Sequence, residues 1–289
     1  DSTAGSDDIA VAADAAGVTA ETNSGAAAAE SETVAATTEE NAEAQVSTDD
    51  YVYDEADVVE ISLGTSITAD SNAVTVDGTT ATITAAGTYL VTGTVGDGAL
   101  VVDAGDGAVV QLILDNADIT NADGAAIAVM SAKKAIVILA DGSANTLTDG
   151  AVYVLAEGED EPNATLHSAS DLAITGEGSL TVVGNYNDGI TSKDGLVIDS
   201  GDITVSAVDD GIRGKDYVVV YGGSIVVTGG GAGIKSDNDE DPERGYVTIA
   251  DGVIDVTSGD DGVQAATDAV ITGGTTKLML SLSEPAARV

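Results

Sequence analysis

Short stretches of alternating apolar and polar residues begin after Tyr51 and recur along the chain to about Met279. Turns that contain Gly or Asp separate these stretches, a pattern typical of β-strands that bury one face. Continuous apolar runs at 109–114 and 135–139 are typical of strands in a parallel sheet that is covered on both faces. The sequence therefore predicts an all-β protein built from many short strands.

An internal repeat is the strongest signal in the second half of the chain. Glycines at 178, 201, 223, 252 and 274 are spaced by 23, 22, 29 and 22 residues. A second column of glycines, each followed by Ile or Val, lies at 189, 211, 233 and 262, spaced by 22, 22 and 29. Both columns place one insertion between Ile234 and Tyr246. A period near 22 with short strands predicts a parallel β-helix, a solenoid with one coil per repeat.

Composition divides the chain into three regions. Residues 1–50 are rich in Ala, Thr, Ser and acids and contain no base or aromatic residue, which predicts a disordered acidic linker. Residues 51–279 form the predicted β-domain, with N-terminal cap strands at 51–105, and 280–289 form an irregular end. We expect a secreted or cell-surface protein that is tethered through its linker after signal removal. A featureless flexible terminus is the alternative.

The charge balance excludes several classes of partner and of chemistry. Fifty acids against nine bases give a formal net charge of −41, which disfavours nucleic acid as a partner. No apolar run approaches the length of a transmembrane helix. Cysteine is absent, and His167 is the single histidine, so thiol chemistry and a Ser-His-Asp triad have little support. No catalytic residue is predicted. A halophilic surface remains one alternative explanation of the acidic excess.

Paired acids precede the second glycine column. Asp188 and Asp210 would lie one repeat apart, where two carboxylates at roughly 5 Å repel by about 3 kcal/mol at an effective dielectric of about 20. A hard cation such as Ca²⁺ would relieve that repulsion, whereas solvated turn residues would need no metal. The alternating acids of the insertion resemble the start of a calcium loop, although Pro242 replaces its required Gly. The predicted Ca²⁺ ligands are Asp188, Asp209, Asp210, Asp237, Asp239, Asp241, Asp260 and Asp261.

Four of the nine bases follow the second glycine column within four residues. Bases beside metal-binding carboxylates suit an acidic polysaccharide, because bases and a bridging Ca²⁺ can both bind uronate carboxylates. Surface salt bridges are the alternative for the bases, and aromatic packing is the alternative for the tyrosines. The predicted carbohydrate-binding residues are Lys193, Arg213, Lys215, Lys235, Tyr186 and Tyr217.

The segments 163–166, 171–176, 184–194, 208–216 and 233–237 resemble the carbohydrate-binding β-helix family of clostridial cell-surface proteins. The likeness runs from about Ile61 to Gly274, and 184–237 is its most specific part. The resemblance implies a right-handed parallel β-helix like that of polysaccharide lyases, calcium sites, and binding to cellulose or polygalacturonate without established lyase activity. Ala232 stands where the family pattern has Asp, which weakens a cation site in that repeat.

Two other functions remain open at this stage. A calcium-dependent lyase of pectate-lyase type could use Arg213, Lys215 or Lys235 as its base. A structural adhesin or filament subunit could associate end to end through an open end of the solenoid. The absence of Trp argues against a flat aromatic platform for crystalline cellulose and favours charged or soluble glycans.

Overall fold

The computed structural model describes residues 48–155, 158 and 160–281. Residues 1–47, which hold nearly all of the predicted linker, and residues 282–289 of the predicted irregular end lie outside the described residues. Two short 3-10 helices, Thr48–Tyr51 and Glu55–Asp57, precede the first strand. The prediction of an all-β chain is confirmed for the part of the protein that the structure describes.

The described residues contain 25 strands. In chain order they are β1 (Val59–Leu63), β2 (Thr68–Ala69), β3 (Val74–Asp77), β4 (Thr80–Ile83), β5 (Gly87–Val95), β6 (Ala99–Asp103), β7 (Val109–Thr120), β8 (Ile127–Ser131), β9 (Lys134–Leu139), β10 (Ala144–Thr148), β11 (Ala164–Ser168), β12 (Asp171–Gly176), β13 (Ser179–Gly184), β14 (Asp188–Ser192), β15 (Gly195–Ile198), β16 (Asp202–Ala207), β17 (Ile212–Gly214), β18 (Tyr217–Val220), β19 (Ser224–Gly229), β20 (Ile234–Ser236), β21 (Tyr246–Ile249), β22 (Val253–Ser258), β23 (Val263–Ala265), β24 (Ala269–Ile271) and β25 (Thr275–Leu280).

Hydrogen bonding joins these strands into two sheets. The first has 16 strands and two long arms that diverge from β7. The first arm runs β9-β12-β15-β18-β21-β24 and the second runs β10-β13-β16-β19-β22-β25. The second sheet has nine strands in the order β23-β20-β17-β14-β11-β8-β6-β4-β3. Almost all neighbouring strands are parallel. The antiparallel pairs are β1 with β2 and β3 with β4, both near the N-terminus of the described chain.

The prediction of a right-handed parallel β-helix is wrong. Among the described residues, the strands form one 16-stranded sheet and one 9-stranded sheet, and neither sheet is closed or forms a solenoid. The strand β7 explains the difference, because its twelve residues pair with β9 through Val109–Leu114 and with β10 through Asp118–Thr120. The two arms, which are separate columns of strands farther along the chain, therefore belong to one sheet. The repeat fixes the spacing between neighbouring strands, but it does not fix how columns of strands connect.

The spacing itself recurs in the strand register. In the second arm, Leu180 lies opposite Ile203, which lies opposite Ile225, and the insertion separates Ile225 from its partner Ile254. In the second sheet Ile190, Ile212, Ile234 and Val263 align in the same way. These columns, with inward residues of the first arm such as Leu196, form one buried core. The core contains branched aliphatic residues, as expected for a chain without Phe or Trp.

The second glycine column lets the second sheet approach the second arm closely. A Cβ atom on Gly189, Gly211 or Gly233 would lie only 2.1–2.3 Å from a Val methyl group of the facing strand. No side chain fits at that distance, so Gly is the residue that this contact requires. The close contact fixes the position of the residues that precede these glycines, among them Asp188 before Gly189 and Asp210 before Gly211.

Candidate functional site

Three predicted metal ligands lie together at the start of two neighbouring strands. The pairing of Ile190 with Ile212 places Asp188, at the start of β14, one repeat from Asp210, which precedes β17. Asp188, Asp209 and Asp210 each place one carboxylate oxygen in this group, and the three oxygens lie within 4.8 Å of one another. Asp188 is 1% exposed and Asp210 is 4% exposed, whereas Asp209 faces solvent. We call these three residues the aspartate cluster.

The two buried carboxylates of the aspartate cluster accept hydrogen bonds from the backbone of the following repeat. The Asp210 N–H donates to Oδ1 of Asp188 at 3.2 Å, and the Ala232 N–H donates to Oδ1 of Asp210 at 2.9 Å. The Thr191 hydroxyl donates to Oδ2 of Asp188 at 3.0 Å, and the Asn187 amide donates to its Oδ1 at the same distance. The series ends at Ala232, which has no carboxylate to offer the next repeat. These bonds hold the carboxylates in place whether or not an ion is bound.

Two of the predicted sugar-binding bases are paired with acids beside the cluster. Arg213 donates from Nε and Nη2 to Oδ2 of Asp237, at 3.1 and 2.7 Å, and its Nη1 lies 3.7 Å from Oδ2 of Asp188. The Lys235 ammonium donates to Oδ2 of Asp210 at 2.8 Å. Four carboxylates (188, 209, 210 and 237) against these two bases leave a formal charge of −2 at this site.

Burial and charge shift the pKa values of this site. Burial, reinforced by the Asp210 charge, raises the pKa of Asp188 to about 6, although the Thr191 hydrogen bond and Arg213 oppose the shift. Burial lowers the pKa of Arg213, but Asp237 and the two buried aspartates raise it by more, so it ends above its ordinary value. Burial also lowers the pKa of Lys235, but its hydrogen bond to Asp210 raises the pKa by more, so the pKa ends above its ordinary value. Both bases therefore stay protonated at neutral pH.

The other predicted metal ligands do not join the aspartate cluster. Asp237 is paired with Arg213, and its Oδ1 is buried without a hydrogen-bond partner among the described residues. Asp241 accepts from the Glu243 N–H at 3.0 Å and lies 3.3 Å from Nε of Arg244, which closes the insertion loop on itself. Asp239, Asp260 and Asp261 are exposed. Their predicted role as Ca²⁺ ligands stays a prediction.

The remaining predicted sugar-binding residues are not part of the aspartate cluster and make other contacts. Lys193 is paired with Glu161, and Tyr186 stacks on Tyr153 with ring centroids 4.2 Å apart. Tyr217 stacks on Tyr246 with ring centroids 5.5 Å apart, and the two residues are register partners in the first arm. Lys215 is half-buried near Asp194 and forms no ion pair within the described part of the chain.

A pocket of about 430 Å³ lies where the insertion loop meets the first arm. Burial raises the pKa of Asp194 in it, helped by the charges of Asp171 and Asp216. Arg244 pairs with Asp216 across the pocket, so one base faces several acids. Its lining residues are Asp171, Asp194, Asp216, Tyr217, Glu243, Arg244 and Tyr246.

Sequence reasoning did not find several partners of the predicted residues. The sequence could have indicated Thr191 as a partner of Asp188, because it lies three residues after Asp188 on the same short strand. Glu161 carries none, since it lies in an irregular segment outside the repeat. His167 is buried on β11 with Nδ1 unpartnered among the described residues, and burial lowers its pKa to about 4. At neutral pH this enclosed side chain is therefore uncharged.

Comparison with known proteins assigns the chain to a family. A family model for "Carbohydrate-binding domain-containing protein" matches residues 77–285. The chain belongs to this family.

Two relatives make the assignment more specific. A carbohydrate-binding domain-containing protein from Acetivibrio thermocellus strain ATCC 27405 is 43% identical over 197 residues, which are 68% of this chain and 69% of that protein. The solved structure of a polysaccharide lyase-like protein from C. thermocellum, a gadolinium derivative, matches with a TM-score of 0.69 and 35% identity. That match covers 78% of this chain and 96% of the solved one. In the described residues of this chain, no helix is long and apolar enough to cross a membrane.

Proposed function

We propose that this carbohydrate-binding chain recognises polysaccharide along the outer face of its second sheet, and that Ca²⁺ helps to hold acidic sugars there. The outer face is the one opposite the Ile190, Ile212 and Ile234 column, and it presents Arg213 and Lys235. The observation that carries the proposal is the aspartate cluster beside these two bases. Family membership supports the carbohydrate, and the cluster supports the cation.

The cluster fits a calcium ion in ligand type and in size. Ca²⁺ takes oxygen ligands at 2.3–2.6 Å, so two oxygens on one ion lie at most about 5 Å apart. The 4.8 Å limit within the aspartate cluster meets that condition. Asp209 is exposed and can follow an approaching ion, while Asp188 and Asp210 are already oriented by backbone hydrogen bonds. When bound, the ion would supply open coordination positions for sugar carboxylates and hydroxyls.

The charges explain why an acidic polysaccharide would need the ion. Arg213 and Lys235 are neutralised by aspartates, and the site keeps a formal charge of −2. The whole chain carries −41, so it repels a polyanion at long range. The bases alone therefore cannot attract polygalacturonate. A divalent cation would neutralise the site and bridge the two polyanions.

The same contacts favour binding over lyase chemistry. A base for β-elimination must be unprotonated, whereas acids raise the pKa of both Arg213 and Lys235 above the ordinary values. Lys215 forms no ion pair with the described residues, so it is the remaining candidate base of the three. An unsaturated-uronate absorbance assay on polygalacturonate should give no signal.

Secretion and tethering through residues 1–50 are part of the same proposal and rest on the composition of that segment.

Binding to soluble polygalacturonate and to insoluble cellulose, at fixed ionic strength with Ca²⁺ or with chelator, tests the proposal. We expect retention on polygalacturonate with Ca²⁺ and its loss with chelator. Asp209→Asn should weaken the Ca²⁺-dependent retention at least about tenfold, which corresponds to about 1.4 kcal/mol. Asp202→Asn, at an exposed carboxylate of the second arm, is the matched control and should bind as the wild type does. No binding to either polysaccharide in either condition would refute the proposal.

A further inference from the structure

One ammonium group already lies against the aspartate cluster. The Lys235 Nζ donates to Oδ2 of Asp210 at 2.8 Å, and 25% of the Lys235 side chain stays exposed. The other oxygen of that carboxylate, Oδ1, accepts the hydrogen bond from the Ala232 N–H. Because Asp210 is only 4% exposed, water contributes little to stabilising its charge. The ammonium therefore occupies the oxygen of Asp210 that the backbone leaves open to a cation.

The second base of the site is held differently. Arg213 donates from two of its nitrogens to Oδ2 of Asp237, which is not a member of the aspartate cluster. Its contact with the cluster is longer, at 3.7 Å from Nη1 to Oδ2 of Asp188. A cation that enters the cluster therefore leaves the main partner of Arg213 in place, but it competes with Lys235 for Asp210.

A divalent ion is the stronger competitor for these oxygens. Ca²⁺ can contact one oxygen from each of the three carboxylates, whereas the Lys235 ammonium bonds to the carboxylate of Asp210. The three carboxylates carry a formal charge of −3, which the ammonium reduces to −2 and the ion in its place would reduce to −1. Once the ion has entered, the charge of Lys235 is no longer needed to neutralise Asp210.

Lys235 lies where a released side chain would meet the sugar. It is the register partner of Arg213 on one side and of Gln264 on the other, on the outer face of the second sheet. Neighbouring strands lie about 4.8 Å apart, so the ammonium can leave Asp210 and still remain on this face. Because part of the side chain is already exposed, its release needs only rotation about side-chain bonds.

We propose that Ca²⁺ displaces Lys235 from Asp210, and that the released ammonium then binds a carboxylate of the acidic sugar. This inference rests on the proposed function and adds a regulatory role for one residue. Without the ion, Asp210 withholds the ammonium from the sugar, and with the ion the same side chain becomes a sugar ligand. Ca²⁺ and sugar therefore strengthen each other's binding through Lys235, and thermodynamic linkage requires this effect to be mutual.

Calorimetric titrations of Lys235→Met separate the two steps. Without sugar, the variant should bind Ca²⁺ at least about fivefold more tightly than the wild type, because no ammonium competes. In saturating Ca²⁺, it should bind oligogalacturonate at least about fivefold more weakly, because the released base is missing. Lys277→Met is the matched control and should change neither affinity, since Lys277 bonds at 2.9 Å to Asp255 on the second arm, outside the aspartate cluster.

The failure of this exchange is distinguishable from the failure of the proposed function. Weaker or unchanged Ca²⁺ binding by Lys235→Met would overturn the exchange, and so would an unchanged affinity for oligogalacturonate in saturating Ca²⁺. In either case, Ca²⁺-dependent binding of oligogalacturonate to the wild type would still support the proposed function. Absence of Ca²⁺ binding to the wild type would refute both.

Reductive methylation of the wild-type chain, followed by peptide mass spectrometry, measures the release without any variant. The reagent needs a free amine, so the bond between Lys235 and Asp210 slows the reaction. Ca²⁺ should therefore accelerate methylation of Lys235 at least about fivefold and leave that of Lys277 unchanged. Equal rates at Lys235 with Ca²⁺ and with chelator, or the same acceleration at both lysines, would contradict the exchange.

Discussion

Replacement of Asp188 by Asn tests the electrostatics of the aspartate cluster without removing its hydrogen bonds. The Asn side-chain oxygen can still accept from the Asp210 N–H, and its amide can donate to the Thr191 hydroxyl. What disappears is a negative charge that is 1% exposed and lies beside the charge of Asp210. Arg213, whose Nη1 lies 3.7 Å away, keeps its stronger partner Asp237.

The size of the effect follows from the pKa of Asp188, which rises from its ordinary 3.8 to about 6. At about 1.36 kcal/mol per pH unit, this difference corresponds to about 3 kcal/mol. The native state binds more protons than the unfolded state between these values, so stability falls as pH rises from about 4 to about 6. The full cost is present above that range and is absent below it. In chelator at about pH 7.5, Asp188→Asn should therefore raise the free energy of unfolding by up to about 3 kcal/mol.

Urea unfolding at a series of pH values, with chelator present, measures this effect as the difference between wild type and variant. The difference cancels the titration of carboxylates that both proteins share. It should be largest above about pH 6 and shrink toward zero near pH 4. Asp202→Asn, whose carboxylate is exposed on β16, should show no such pH-dependent difference. A variant that is less stable than the wild type at high pH, or a difference that does not change with pH, would refute the reasoning.

Three further predictions concern packing and cation binding. Gly211→Ala should lower the free energy of unfolding in urea by about 1–3 kcal/mol or more, because the new Cβ would lie 2.2 Å from a Val227 methyl group. Gly107→Ala is the control and should leave the free energy of unfolding unchanged, because its Cβ would meet no atom within 4 Å. Gly231→Ala should weaken Ca²⁺ binding in calorimetry, because the new methyl group would lie 2.2 Å from Oδ1 of Asp209; unchanged affinity would argue against the cluster as the site. Lys235→Met should strengthen Ca²⁺ binding, because it removes the ammonium that now bonds to Asp210; weaker binding would contradict this.

The repeat in the sequence predicted which residues are neighbours in adjacent strands, but it did not predict how the strands are organised into sheets. Asp188 with Asp210 and Tyr217 with Tyr246 are neighbours because residues one period apart pair in parallel strands. The β-helix prediction failed at β7, which belongs to no repeat and joins two columns of strands into one sheet. A period carries no information on such a long, unique strand.

The candidate site was predictable only in part for a similar reason. The aspartate cluster follows from the repeat, whereas the partner of Lys193 is Glu161, in an irregular segment that has no periodic signal. Asp260 and Asp261 were predicted as ligands because they occupy the equivalent position in a later repeat. They are exposed there, next to a repeat in which Ala232 provides no carboxylate. Residues at equivalent positions form a cluster only when neighbouring repeats both have the required side chain at that position.

Calorimetric titration of the wild-type chain with oligogalacturonate, at fixed ionic strength with Ca²⁺ or with chelator, tests the central claim most directly. The account predicts saturable binding with Ca²⁺, no detectable binding with chelator, and affinity reduced at least about tenfold in Asp209→Asn. Binding of equal strength in Ca²⁺ and in chelator would show that the aspartate cluster does not hold the sugar through a cation, and would contradict the account.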